Sequence, residues 1–204
     1  RERLEYERNL AREKKERELF AKASQEARAK VLEYAFSKAL GVMREVVTGE
    51  TSPGMAARVN ARIRELTAAI NVVKGWSTSC QESRQFKKEF RNERLSIYGT
   101  VNLITVSGLQ VKSGGSGIIT LDFKQLLPRE FCELIRSTWV KMEPQEQFNY
   151  AILCCEFGLY EEALAELDAA LKSADGKMDP ELAKSYRKMI SEGRYTEFEE
   201  IEAQ

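Results

Sequence analysis

Apolar residues recur every three or four positions through much of the first quarter of the chain, which is the spacing of one helix face. This stripe runs from Leu19 and Phe20 to Val47. Residues 1–18, which precede it, carry thirteen charged side chains. One helix over residues 1–47 would be about 70 Å long. We expect its charged first third to project from the body of the protein.

A second helix is predicted after a break in the pattern at residues 48–54. Ser52 followed by Pro53 is typical of a helix start, because the hydroxyl caps backbone N–H groups and proline fits the first position. The apolar residues that follow are Met55, Val59, Ile63, Leu66, Ile70 and Val73. Their spacing predicts an antiparallel hairpin with the first helix, closed at Gly75 and Trp76. The segment from there to Glu82, rich in Ser, Thr and Gln, is predicted as a loop or as a continuation of the helix. We assign residues 1–94 to this long helical hairpin.

After Leu95 the pattern shortens to a period of two, with short apolar runs between turn residues. The runs cover residues 96–106, 108–112 and 118–123. They predict short strands, and the glycine-rich segment 113–117 predicts a hairpin connection. We assign residues 95–127 to a small antiparallel sheet. It must pack on other elements, because three strands cannot bury both of their faces alone.

The last part of the chain is predicted to be helical again, with prolines at the helix starts. These prolines are Pro128, Pro144 and Pro180. Proline fits the first turn because its missing N–H would have no partner there. The predicted helices cover roughly 128–142, 144–157, 160–173, 180–191 and 194–203. Residues 128–204 therefore form a helical array, and the fold class is α+β, mostly α.

One helix pair in this array resembles a tetratricopeptide repeat. Within residues 148–171, Ala151 is small where the first helix must be approached closely, Gly158 stands at the turn, and Tyr160 opens the second helix. The positions that would face back toward the first helix are Ala163, Leu167 and Ala170. A generic helical hairpin is the alternative interpretation.

A partial second unit echoes the first. It begins at Gly193, which lies 35 residues after Gly158 (193 − 158 = 35), close to the 34-residue period of the family. Phe198 stands where the family has a small residue, and Asp175-Gly176 replaces the usual proline. The resemblance covers residues 144–204. The strand region resembles, in length and turn placement alone, the small bent sheets of Sm-like barrels.

The tetratricopeptide resemblance implies a binding surface for a protein or peptide partner. In that family the first helix of each pair lines a concave face that binds peptides. By position, the partner-binding residues would be Gln147, Asn149, Tyr150 and Glu156. Ordinary solvated or half-buried side chains are the other interpretation of these four positions.

A basic cluster offers an alternative function. Lys87, Lys88, Arg91 and Arg94 alternate with Phe86 and Phe90, and cations beside aromatic rings can bind single-stranded nucleic acid. Glu89 and Glu93 lie among these cations at the spacing of ion pairs on a helix. We therefore favour a charged helix face with two core phenylalanines, and nucleic acid as the less favoured partner.

Composition bears on the function classes that the chain can support. The 32 Lys and Arg residues balance the 32 Asp and Glu residues, so no overall field attracts nucleic acid or an anionic membrane. The chain contains no histidine, which removes the commonest general base and metal ligand. We therefore expect no enzyme activity, no cofactor and no metal site.

The cysteines also give little support to redox or zinc chemistry. Cys80, Cys132, Cys154 and Cys155 form no C-x-x-C pair. Their apolar neighbours predict buried free thiols. A disulfide at Cys80 is the alternative in an oxidising compartment.

We interpret the chain as a non-catalytic module for protein–protein interaction or scaffolding, with nucleic-acid binding as the alternative. It begins at Arg1 inside a helical charge pattern, so we expect a fragment of a larger bacterial protein, signalling or envelope-associated. No run approaches the roughly 18 apolar residues of a membrane helix. Membrane association is therefore expected only through an upstream segment, and compartment and oligomeric state are not predicted.

Overall fold

A computed structural model describes residues 2–47, 51–82, 88–115, 117–139, 141–173, 178–193 and 195. The helices in this part are α1 (Glu2–Leu32), α2 (Phe36–Val46), α3 (Pro53–Glu82), α4 (Pro128–Thr138), α5 (Pro144–Glu156), α6 (Tyr160–Lys172) and α7 (Pro180–Ser191). The strands are β1 (Glu89–Asn92), β2 (Ile97–Ile104), β3 (Gly108–Lys112) and β4 (Ile118–Asp122). They form an antiparallel sheet in the order β1-β2-β3-β4. The predicted fold class, α+β and mostly α, is confirmed.

The prediction of one helix over residues 1–47 is wrong, because the chain reverses after Leu32. Tyr34 has a φ of 58°, a left-handed conformation that does not continue a helix, and α2 packs back along α1. The Tyr34 hydroxyl donates to the carbonyl oxygen of Leu126 at 2.7 Å. Its ring centre lies 5.0 Å from that of Phe131. Partners distant in sequence therefore hold this residue in place.

The charged first half of α1 is exposed to solvent. Residues 5–15 are all exposed, and the charges pair along the helix, as Arg3 does with Glu7 at 3.2 Å. Burial begins at Phe20, whose side chain packs in the core. The change from charged to apolar patterning thus coincides with the change from exposed to packed helix.

Helix α3 continues to Glu82 and reaches the sheet. Gly75 and Trp76 lie inside the helix rather than at its end, and for the segment after Trp76 the helix continuation, not the loop, is correct. Ser77 and Gln81 both donate to the carbonyl oxygen of Ile104 in β2, at 3.2 and 3.1 Å. The buried residues Trp76 and Cys80 continue the apolar face of α3 into these last turns.

The sheet contains a strand that was predicted as helix. Residues Glu89–Asn92 pair with Ile97–Thr100, so the interpretation of this segment as a charged helix face is wrong. The sheet begins at residue 89 instead of 95. Its inner face is formed by the buried residues Phe90, Val101, Ile104, Leu109, Val111 and Leu121. Strand alternation puts Arg91 on the outer face, whereas a helix would have grouped it with the neighbouring cations.

Aromatic rings join the helical hairpin, the sheet and the C-terminal helices. The ring centre of Phe131 in α4 lies 4.8 Å from that of Phe123, which follows β4, and 5.9 Å from that of Trp76 in α3. The indole N–H of Trp76 donates to Thr138 Oγ1 at 2.8 Å. These residues belong to one continuous hydrophobic core.

The C-terminal helices begin at the predicted prolines, Pro128, Pro144 and Pro180. Helix α4 ends at Thr138, earlier than predicted, whereas α5, α6 and α7 end within one residue of the predicted positions. Gly158 joins α5 to α6 with a φ of 73°, which glycine adopts without the cost that a Cβ would add. The predicted helix over 194–203 lies outside the described residues, except for Tyr195.

Candidate functional site

The helix pair α5–α6 places the residues that carry the tetratricopeptide resemblance. The small and apolar positions Ala151, Ala163, Leu167 and Ala170 are fully buried, and α5 packs extensively on α6. Small residues at such an interface allow two helix backbones to approach closely. Phe198 and Asp175-Gly176, on which the second unit depends, lie outside the described residues.

Gln147 and Asn149, two of the four predicted partner-binding residues, are half-buried and hold polar contacts. Asn149 Oδ1 accepts a hydrogen bond from Gln145 Nε2 at 3.0 Å, one turn earlier on α5. Gln147 Oε1 accepts from Ser173 Oγ at 3.3 Å, just after α6. These residues form a polar patch at the start of α5, which we call the amide patch: Gln145, Gln147 and Asn149.

Tyr150 does not belong to this patch. Its side chain is buried, and its hydroxyl donates to the carbonyl oxygen of Cys132 at 2.8 Å. Burial is the largest influence that raises the pKa of Tyr150, so the hydroxyl stays protonated. The residue ties α5 to α4, and its predicted contact with a partner is excluded in this conformation.

Glu156 also lies in the interior. Its side chain is only 1% exposed. Arg62 of α3 binds both carboxylate oxygens, and the Nη2–Oε2 distance is 2.7 Å. The hydroxyl of Tyr195 donates to Oε1 at 3.2 Å. The assignment of Glu156 to a partner surface is therefore corrected: it is a buried ion-pair residue.

A second carboxylate shares the same arginine. Arg62 Nη1 lies 2.9 Å from Glu65 Oε2, and the hydroxyl of Tyr186 in α7 donates to Glu65 Oε1 at 3.0 Å. We call Arg62, Glu65, Glu156, Tyr186 and Tyr195 the buried ionic cluster. It connects α3, α5 and α7 and was not anticipated from sequence. The only local signal was an arginine and a glutamate three residues apart beside the apolar stripe of α3.

The electrostatics of this cluster follow from two carboxylates and one guanidinium in a buried site. Burial, and then repulsion from Glu156, raise the pKa of Glu65, although Arg62 opposes the shift. Burial alone would lower the pKa of Arg62, but the two carboxylates raise it well above its usual value. Both carboxylates are held by hydrogen bonds from side chains of other helices. The arrangement suits a structural tie between three helices.

The described cations of the basic cluster are engaged within the protein. The ammonium group of Lys88 donates a hydrogen bond to the carbonyl oxygen of Ser137. Arg94 binds Glu130 with Nε–Oε1 and Nη2–Oε2 distances of 3.1 and 2.9 Å. Lys87 lies outside the described residues. Two of the three described cations therefore connect the β1 region to α4.

Arg91 differs from the other cations because it lies on the outer face of the sheet. It pairs with Glu93 at 2.8 Å, and its guanidinium carbon lies 5.7 Å from the centre of the Tyr98 ring. Tyr98 is 50% exposed. Lys88 and Arg94 are also exposed, but only Arg91 among the described cations of the cluster lies beside an exposed aromatic ring.

All four cysteines are buried free thiols, as predicted from their neighbours. Burial raises the pKa of Cys80 to about 11, and it raises that of Cys155 as well. Both thiols therefore stay protonated near neutral pH, which makes them poor nucleophiles. Among the described residues, no three or more cysteine, aspartate or glutamate side chains are placed to hold a metal ion.

A groove of about 300 Å³ lies between α1 and the start of α3. Glu16 occupies the helix start there, because its carboxylate accepts from the backbone N–H of Ser52 at 2.9 Å. The hydrogen bond from the Ser52 hydroxyl is the main cause that lowers the pKa of Glu16. The positive end of α3 is thus already neutralised by a side chain of α1.

Comparisons with known proteins identify no relative of this chain. No protein-family model, curated protein or solved structure matches the chain. The part of the chain that the structure describes includes no helix with both the length and the apolar character needed to cross a membrane. What can be said about function therefore depends on the surfaces described above.

Proposed function

We propose that this protein is a non-catalytic module that binds or organises other proteins, within a larger bacterial protein of a signalling or envelope-associated kind. The observation that carries the proposal is the amide patch at the start of α5. The bond between Gln145 and Asn149 uses one acceptor of Asn149. The side-chain N–H groups of Asn149 have no hydrogen-bond partner among the described residues, so they remain available to another molecule.

Amide side chains suit the recognition of an extended peptide. An Asn or Gln side chain offers both a donor and an acceptor, which are the two groups that a peptide main chain presents at each residue. Gln145 and Asn149 lie on one face of α5, four residues apart. The first helix of the pair is also where the tetratricopeptide resemblance implies a partner. The patch therefore defines a surface that a few substitutions can test.

The experiment is affinity capture from a nuclease-treated bacterial lysate, comparing the native protein with Asn149→Ala. Asn60→Ala is the matched control, because Asn60 is an exposed asparagine on another helix, α3. We expect Asn149→Ala to reduce capture of a specific protein at least tenfold and Asn60→Ala to leave it unchanged. Equal capture by all three proteins would contradict this surface. Tyr150→Ala is unsuitable because it would open a core cavity.

Nucleic-acid binding is the second candidate, and the exposed Arg91–Tyr98 stack is the observation that favours it. An aromatic ring beside a cation offers a stacking platform for a base. In the same capture experiment without nuclease, this candidate requires bound RNA or DNA that is lost on Tyr98→Ala. It also requires binding that weakens steeply as salt increases.

A further inference from the structure

The outer edge of β4 is open to pairing. β4 lies at one end of the strand order, and alternate residues of an antiparallel strand bond to the same neighbour. Phe123 N–H donates to the carbonyl oxygen of Ser107 at 3.1 Å, so the odd-numbered residues of β4 bond to β3. The main-chain groups of Ile118 and Thr120 therefore point away from the sheet. Within the described ranges, they have no hydrogen-bond partner.

The two edge strands of the sheet differ in the charge of the side chains at their outward main-chain positions, which affects the addition of another strand. On β1 the outward main-chain positions are Glu89 and Arg91, and charged side chains at an edge discourage the addition of another strand. On β4 the same positions carry Ile118, which is 58% exposed, and Thr120. β-Branched side chains favour strand pairing. The one charged outward position of β4 is Asp122 at its end, whose N–H already donates to Gln125 Oε1 at 2.9 Å. The middle of the β4 edge therefore lacks this protection.

Two lysines define the charge of this edge. Lys112 is exposed and pairs across the sheet with Ile118, and Lys124 is exposed two residues after β4. Neither lysine has an ion-pair partner in the part of the chain that the structure describes. Strands lie about 4.8 Å apart, so a residue opposite Ile118 on a further strand would lie roughly 9.6 Å from Lys112, within reach of two long side chains. Asp122, the last residue of β4, is also exposed, so the two lysines leave this edge with a net positive charge. The lysines near its two ends therefore complement carboxylates at the two ends of an incoming strand.

We propose that the β4 edge binds an extended segment of a partner protein as a fifth strand, with β-branched residues in its middle and an acidic residue at each end. Main-chain hydrogen bonds supply affinity in this mode, and the flanking side chains supply specificity. The inference rests on the proposed function only in taking the partner to be a protein. It uses a different surface from the amide patch.

The test uses the full chain and a synthetic peptide, acetyl-Glu-Val-Thr-Val-Thr-Val-Glu-amide, at millimolar concentration. The readout is amide hydrogen exchange of individual residues by NMR. We expect exchange at Ile118 and Thr120 to slow at least tenfold with the peptide, because their N–H groups become bonded. The amides of Glu89 and Arg91 on the opposite edge should not change. Unchanged exchange at Ile118 and Thr120, or protection at β1 instead, would overturn the proposal.

A pair of proline variants isolates the edge itself. Thr120→Pro removes an outward N–H and should abolish the protection of Ile118, whereas Arg91→Pro makes the same change on the other edge and should preserve it. Proline is tolerated at an edge position whose N–H faces solvent. Protection that persists in Thr120→Pro would refute edge pairing.

Charge reversal covers the case in which Thr120→Pro fails to fold. Lys112→Glu with Lys124→Glu should weaken binding of the acidic peptide at least fivefold and restore it for a peptide with lysine at both ends. No change on reversal would contradict the charge requirement. Asn149→Ala should leave peptide protection unchanged, so failure of the amide patch and failure of the β4 edge can be distinguished.

Discussion

At the scale of single residues, polar side chains have different roles depending on how deeply they are buried. Asn149 and Tyr150 are neighbours in sequence, yet one borders solvent and the other bonds to Cys132 in the core. Glu156 could be a solvated carboxylate from its sequence alone. Arg62 makes it an internal ion-pair partner, because a buried carboxylate requires a cation or hydrogen-bond donors.

Glu65 should make stability depend on pH in an unusual direction. Its folded pKa is raised, so its stabilising effect is complete below the unfolded pKa and is lost as pH rises through the folded pKa. Each pKa unit between the folded and unfolded states lowers the free energy of unfolding by about 1.4 kcal/mol once the pH is above the folded pKa. In urea unfolding at pH 5.5 and pH 8, we expect the native protein to lose more stability at pH 8 than Glu65→Gln does.

The control for this experiment is Glu133→Gln, which changes an exposed carboxylate of α4. It should retain the pH dependence of the native protein, because Glu133 lies outside the buried ionic cluster and the substitution leaves Glu65 and its partners in place. A Glu65→Gln variant with the same pH dependence as the native protein would show that Glu65 does not titrate in this range.

At the scale of elements, α1 combines two kinds of helix. Its first half is held by pairs of charges along its own surface, whereas its second half is packed by apolar contacts. Pairs of this kind are each worth only about 0.3–0.5 kcal/mol. The packed half therefore carries the contribution of α1 to the folded state.

Removal of residues 1–11 should change the free energy of unfolding by less than about 0.5 kcal/mol, because exposed positions contribute little to stability. Phe20→Ala, in the packed half of the same helix, should lower it by about 3–5 kcal/mol. Urea unfolding followed by circular dichroism measures both. A loss of more than about 1 kcal/mol on deletion would mean that the charged half contacts the body of the protein.

At the scale of the whole molecule, the three predicted segments share one core. Phe131 contacts rings from α3, from the α1–α2 turn and from the residue after β4. The buried ionic cluster joins α3 to α5 and α7 in the same way. Segments that share their core in this manner are expected to unfold together.

Cooperative unfolding can be tested with two probes. Far-UV circular dichroism follows all helices, while tryptophan fluorescence reports Trp76 and Trp139, both of which are buried. We expect coincident transitions in urea, and Phe131→Ala should shift both by a loss of about 3–5 kcal/mol. If residues 128–204 unfolded as an independent unit, the dichroism would show two steps, and Phe131→Ala, which lies in that unit, would shift only one of them.

The sequence by itself determined those features that depend on near neighbours. Apolar spacing located the body of α3, proline located the starts of α4, α5 and α7, and Gly158 located the turn of the α5–α6 pair. These signals act within one or two helical turns, since they reflect backbone sterics and the period of each element. The same local signals predicted β2, β3 and β4.

Only the tertiary structure decided the break at Tyr34, the strand β1 and the interior position of Glu156. Each depends on a distant partner: Leu126 for Tyr34, β2 for β1, and Arg62, 94 residues away, for Glu156. Burial of a charged or hydroxyl group is favourable only where such a partner is present. Periodicity records that a side chain faces inward, but it carries no information about the group that the side chain meets there.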